Sequence, residues 1–186
     1  MITPLNRHSK TKDSLWRLTR GQGPVRAILL LAFLSVSCVY CDAIQQSDPA
    51  RQDGVVQRGD HVMGFSHDKT THHLRLLKDG GEMVVEANDP ADKASIQQIQ
   101  MHLGHIVSMF SNGNFKAPML IHDTNPPGTA TMTRLKSEIR YELTRTDRGA
   151  KIRITTSNPE TTDAVHAFLL FQIVDHQTGD VPTIGG

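Results

Sequence analysis

Histidine and methionine crowd the stretch His61–His73, HVMGFSHDKTTHH, where four of thirteen residues are histidines. Imidazoles are ligands for zinc, copper, nickel or haem iron, and imidazole with thioether suits copper. A second set follows at His102, His105 and Met109, whose i, i+3 and i+4 spacing puts them on neighbouring ground of a helix. His122 precedes Asp123, and a carboxylate beside an imidazole can fix its tautomer. Nine of the ten histidines lie beyond residue 60, and this density is the argument for function. Neither the HExxH nor the CxxC…H spacing of an established zinc motif is present.

Periodicity sorts these residues. On a helical wheel His102 lies about 80° from the centre of the apolar arc and His105 about 140°, so His102 sits at the core's edge and His105 points to water. His72 alternates with Leu74 and Leu76 and shares their face of a strand; His73 shares the other face with Arg75. These two adjacent histidines therefore cannot ligate one ion from regular strand geometry. His72 and His102 approach each other if the hairpin lies under the helix. The expected metal ligands are His61, His72, His102 and His122, with Met63, Met109 and His166 as additional candidates; His166 reads first as a buried, hydrogen-bonded core histidine. Copper, zinc or haem is the expected cofactor. Catalytic signatures are sparse: there is no GxSxG elbow and no P-loop. A hydrolase-like use of His122 with Asp123 is the enzymatic alternative.

The chain's start bears on where such a site would operate. Residues 1–26 carry six basic residues and one acid, and the apolar run Ala27–Tyr40 follows. Fourteen residues fall short of the about 20 that span a bilayer. The pattern reads as a signal peptide over 1–41, or as an N-terminal anchor; LSVSC faintly resembles a lipidation box at Cys38. Beyond residue 41 there are 14 basic and 18 acidic residues, which argues against nucleic acid as a partner. Both cysteines, Cys38 and Cys41, fall in the leader, and a cysteine-free exported chain suits a bacterial periplasm. The expected location is periplasmic or secreted, with membrane attachment only through an uncleaved leader or a lipid.

The elements that must hold the histidines follow from turn and cap signals. Residues 42–60 are polar without periodicity and read as a disordered linker; 61–178 read as one α+β domain and 179–186 as a flexible tail. Within the domain a pattern recurs: strand, turn, strand, Asn/Asp-Pro, helix. Asp79-Gly80-Gly81 and Asp147-Arg148-Gly149 are hairpin turns, and Asp89-Pro90 and Asn158-Pro159 read as helix starts. The turn aspartates are 68 residues apart and the prolines 69, which suggests an internal repeat. The first helix, about 92–112, buries Ile96, Ile99, Leu103, Ile106 and Phe110 on one side and ends at Gly113. The second, about 160–176, is apolar nearly all round and reads as deeply buried or as a homodimer interface. Two ββα units predict a four-stranded antiparallel sheet with two helices on one face. The Pro/Gly-rich segment 114–130 between them reads as a long, functional loop.

The segments HVMGFSHDKTTHHLRLLKDGG, NDPAD, MHLGHIVSMFSNGNF, PMLIHD, NPPG and VHAFLLFQIVDH resemble a family of small exported bacterial proteins of unknown function. The resemblance covers His61 to His176. Some members carry the label aspartate carbamoyltransferase, but that enzyme is cytosolic, about twice this length, and marked by a Ser-Thr-Arg-Thr phosphate loop missing here. The family pattern falls on His61, Met63, Phe65, Thr71, His72, His102, His122, His166 and His176, and leaves out His105. The reading is an exported metal- or haem-binding protein. A non-catalytic interaction or dimerisation module with structural histidines is the alternative.

Overall fold

The computed structural model describes residues 49–185. The leader expected over 1–41 lies outside the described residues. Among the described residues, no helix is long and apolar enough to cross a membrane.

The chain enters through a helix, α1 (Pro49–Met63). A hairpin of β1 (Thr70–Leu77) and β2 (Gly80–Ala87) leads to α2 (Lys93–Ser111). Two short helices follow, α3 (Lys116–His122) and α4 (Thr129–Arg134). A second hairpin, β3 (Arg140–Thr146) and β4 (Gly149–Thr155), leads to α5 (Pro159–Asp175), and the tail adds β5 (Ile184–Gly185). The α+β class holds. The sheet, however, is five-stranded and mixed, in the order β3-β4-β2-β1-β5, rather than the expected four-stranded antiparallel one. Four strands are antiparallel neighbours, and β5 runs parallel to β1 through Leu76↔Ile184 and Leu77↔Gly185. The tail expected to be flexible is thus tied down. Asp180 accepts a hydrogen bond from the Leu74 backbone N–H (2.7 Å), and β5 covers part of the otherwise open edge of β1.

The second large correction is at the other end. The expected linker over 42–60 is helical from Pro49 onward. Its buried residues are Val55, Gly59 and Met63, a stripe one residue wide with a glycine in it. Such a stripe leaves no apolar arc to read. Polar contacts hold the helix instead. Arg51 forms a bidentate pair with Asp175 (2.8 and 3.1 Å), and Arg58 Nε–H donates to the Ile121 carbonyl (2.8 Å).

The inner face of the sheet follows strand alternation. Leu74 and Leu76 on β1, Val85 on β2, and Ile152 and Ile154 on β4 are buried, while Thr71, His73 and Arg75 face out. Both long helices lie on that face. Leu169 of α5 rests on Gly81, where a Cβ would come within 2.2 Å of its Cδ1, and Gly104 of α2 faces Leu143 of β3. Helix α2 buries the five residues its period marks out. It starts later than Asp89-Pro90 suggests, because that pair makes a turn and Asp92 is the cap. The Asp92 carboxylate accepts from the Ser95 N–H (3.0 Å) and hydroxyl (2.8 Å). Asn158 caps α5 as expected, and Gly113, at φ +72°, ends α2. The segment 114–130 is a loop only in part, since α3 and the start of α4 form within it.

Candidate functional site

Four imidazoles meet where α1, β1, α3 and α5 converge: His67, His72, His122 and His176. His67 opens the short 3-10 turn that follows α1, His72 is on β1, His122 ends α3, and His176 is the residue after α5. Three of the rings form a near-equilateral triangle. The centroids of His67 and His72 are 5.4 Å apart, those of His67 and His176 5.5 Å, and those of His72 and His176 5.5 Å. The ring planes are within 22°, 20° and 3° of parallel in the same order.

A carboxylate orients the first ring. His67 Nδ1–H donates to Asp60 Oδ1 (2.6 Å), and the His67 backbone N–H donates to the same oxygen (2.9 Å). Burial pushes the Asp60 carboxyl up, but the hydrogen bonds from His67 and its charge outweigh this, and the net shift is downward. With Nδ1 protonated, the lone pair of His67 is on Nε2, which is buried and has no hydrogen-bond partner. His176 Nδ1 is in the same position. Gly59 makes room for this arrangement: a Cβ there would lie 2.4 Å from His67 Cε1.

Burial disfavours the charged forms of three of these rings, His72, His176 and His122. It lowers His72 to about 3, helped by repulsion from His67, His102 and His73. His176 is pushed well below the usual histidine value by burial and then by His72, His122 and His67. Burial also lowers His122, overriding the opposite pull of Asp175. A neutral His122 has one ring N–H, which it donates from Nδ1 to Asp175 Oδ2 (2.5 Å). Its Nε2 lies 2.9 Å from the Gln172 side-chain oxygen. Turning the Gln172 amide over lets its N–H donate to Nε2 and gives the Gln172 nitrogen the partner it lacks. His122 is fully buried with both nitrogens engaged, and its ring meets His176 edge-on at 4.8 Å.

The other expected residues are dispersed. His61 is exposed on the last turn of α1, and His105 is exposed on α2. Met109 packs against the core. His166 donates from Nε2 to the carbonyls of Leu77 (2.8 Å) and Gly80 (3.0 Å), so it closes the first hairpin onto α5. Asp123 is exposed in the left-handed region (φ 49°), and the carboxylate that pairs with His122 is Asp175, 53 residues along the chain. His102 and Met63 do reach the neighbourhood: with His72 and His176 they line a cavity of about 60 Å³. The Phe65 ring lies beside both His72 (6.2 Å) and His102 (5.6 Å).

Sequence reasoning missed His67 and His176 as partners of His72, and missed Asp60, Asp175 and Gln172 altogether. Among the described residues, no group of three or more His, Cys, Asp or Glu side chains is placed so that it could hold a metal ion, the His67, His72 and His176 triangle included. No protein-family model matches this chain, no curated protein matches it, and no solved structure matches it.

Proposed function

We propose that the protein binds one transition-metal ion, of the zinc or copper class, through His67, His72 and His176. The observation that carries the reading is the triangle of imidazole rings. The point equidistant from its three centroids is about 3.2 Å from each, and an imidazole bound to zinc at 2.0–2.1 Å places its centroid about that far from the ion. As the side chains stand they are not placed to hold an ion, so binding requires the rings to turn about χ2, a broad torsion in histidine. Two further observations support it. His67 Nε2 and His176 Nδ1 are buried without partners, each costing about 1–3 kcal/mol that a metal bond offsets. Asp60 stands behind His67 as the outer carboxylate of a carboxylate–histidine–metal arrangement.

This ligand set revises the one expected from sequence. His122 becomes a support for His176 rather than a ligand, because Asp175 and Gln172 occupy both its nitrogens. Haem finds no support: the cavity has room for a few waters, since a water's share of liquid volume is about 30 Å³. The dimer reading is left with the outer side of α5, because Val165, Phe168, Leu169 and Ile173 are buried within the chain while Val174 is exposed. Export is part of the proposal. The basic start, the short apolar run and the absence of cysteine beyond residue 41 support a periplasmic setting.

The test is elemental analysis of the purified protein, with titration by Zn²⁺ and Cu⁺. One equivalent bound, and lost when His67, His72 and His176 are replaced together by alanine, is the expected result. A folded protein that cannot be loaded with either ion would sink the proposal.

A further inference from the structure

We infer that the cavity between the sheet and its two long helices is a binding site for a short-chain alcohol, ethanol or propanol in size, held by one hydrogen bond from its hydroxyl to the Gln172 side chain. The site requires no ion and stands apart from the metal reading.

The wall is built of apolar side chains such as Leu74, Val85, Ile106, Phe110 and Phe168, and includes no Asp, Glu, Lys or Arg. Burial lowers two imidazoles on the wall, His72 to about 3 and His102 to about 4, so at neutral pH these carry no charge. A carboxylate, phosphate or ammonium would enter without a counter-charge and lose its hydration uncompensated. The occupant is therefore uncharged and mostly apolar. Its size follows from the room. A cavity of about 150 Å³ holds benzene, roughly 25 Å³ per carbon, so about 60 Å³ holds about two or three heavy atoms. Met63 and Met83 on the wall are unbranched and adaptable, and a small shift of either admits one carbon more.

Gln172 sets the polar group. It lines the cavity and is 5% exposed. One end of its amide lies 2.9 Å from His122 Nε2, and the other end is buried without a partner. His122 itself is not on the wall, so the unpartnered end is what Gln172 offers the cavity. The His122 proton is on Nδ1, toward Asp175, and the lone pair on Nε2 calls for the amide N–H. The end left over is then the carbonyl oxygen, an acceptor. A hydroxyl donates to it; an ether or a hydrocarbon has no donor, and a small amine is charged at neutral pH. Water is the poorer occupant, because it needs two to four polar partners and this wall is mostly apolar. An alcohol spends its one donor on Gln172 and lays its carbons against the apolar side chains.

The test is 1-propanol titrated into the full chain in the presence of EDTA and followed by methyl NMR. The Val85 and Ile106 methyls should shift saturably, as for one site, and show nuclear Overhauser contacts to the propanol methyl. Methoxyethane, the isomeric ether without a donor, should bind at least tenfold more weakly. Benzyl alcohol, too large for the cavity, should leave the methyl shifts unchanged. Ile106→Phe, or Val85→Met if the first fails to fold, narrows the cavity and should weaken propanol binding at least tenfold. No saturable shift in the unaltered chain, equal affinity for methoxyethane, or propanol affinity unchanged in a folded cavity-filling variant overturns the inference. With EDTA present throughout, none of these outcomes touches the metal reading, whose own test is the stoichiometry of bound ion.

Discussion

At the scale of single residues, the proposed site makes its sharpest demands on groups that touch no ion. Asp60 accepts from His67 Nδ1–H and so keeps the His67 lone pair on Nε2. Asp60→Asn should weaken metal affinity about 10- to 100-fold, the usual cost of losing an outer-shell partner, with little change in stability. Gly59→Ala should act through the same ring. Its methyl would fall 2.4 Å from His67 Cε1, so the ring must move and affinity should fall while α1 remains helical. Calorimetric titration of each variant with Zn²⁺ checks both, and unchanged affinity in the pair would remove His67 from the ligand set. His102→Ala should retain one bound ion, since His102 lies at the cavity and outside the triangle. Strand alternation and the helical wheel were enough to put His72 on the inner face and His102 at the core's edge. They could not find His67 or His176, because each lies just outside a regular element, where no periodicity assigns a face. The one signal for His67 was its place in the dense stretch after Met63; for His176 it was the resemblance, which included that position.

At the scale of elements, the polar network beneath His176 anchors helices that have little apolar surface to share. Asp175 is 9% exposed and serves both Arg51 of α1 and His122 of α3. Replacing His122 by leucine leaves Asp175 and Gln172 short of a partner inside the fold, and should cost about 2–4 kcal/mol in denaturant melts. Arg51→Ala should cost much less, because that guanidinium is 41% exposed and solvent already screens it. A larger loss for Arg51→Ala than for His122→Leu would mean that α1, and not the buried imidazole, holds this corner together. The contrast also explains what was legible. Both hairpins, both long helices and the Gly113 stop follow from turns, caps and apolar period, because those elements are held by burial on the sheet. Two of the elements that escaped, α1 and β5, are held by side-chain hydrogen bonds and strand-edge pairing with distant partners. Nothing in their own composition announces those partners. The Asp89-Pro90 turn shows a milder form of the limit: two residues carry good cap chemistry, and Asp92, three positions on, is the one in place to reach Ser95.

At the scale of the whole molecule, the buried neutral histidines make stability depend on pH in one direction. In the unfolded chain each titrates near the ordinary value of about 6.5. In the folded chain His72 is lowered to about 3 and His102 to about 4, and His176 and His122 are shifted the same way, with burial the largest cause for each. Between these folded values and 6.5 the unfolded state holds more protons than the folded one, so stability rises with pH through that window. It is complete above about 6.5 and drains away as the pH falls, by up to about 1.4 kcal/mol per unit for each group inside its window. Asp60, Asp79, Asp92 and Asp180, all lowered, add their own losses only as the pH falls below about 4, under the histidine window. Set against the about 5–15 kcal/mol a domain has in hand, these losses should leave it measurably less stable by pH 5, before the carboxylates contribute. Denaturant midpoints at pH 7.5, 6 and 5 read this directly, and His72→Phe, which keeps a ring in place but takes no proton, should flatten the slope. The same window separates the two states of the site. Zinc at about 100 times its Kd adds about 2.7 kcal/mol to the native state and should move the acid midpoint downward, but only in a protein that retains the triangle. If stability were level from pH 7.5 to 5, His72, His102, His122 and His176 would protonate as readily folded as unfolded, and burial would not be what sets their charge state; if zinc left the acid midpoint in place, the triangle would hold no ion.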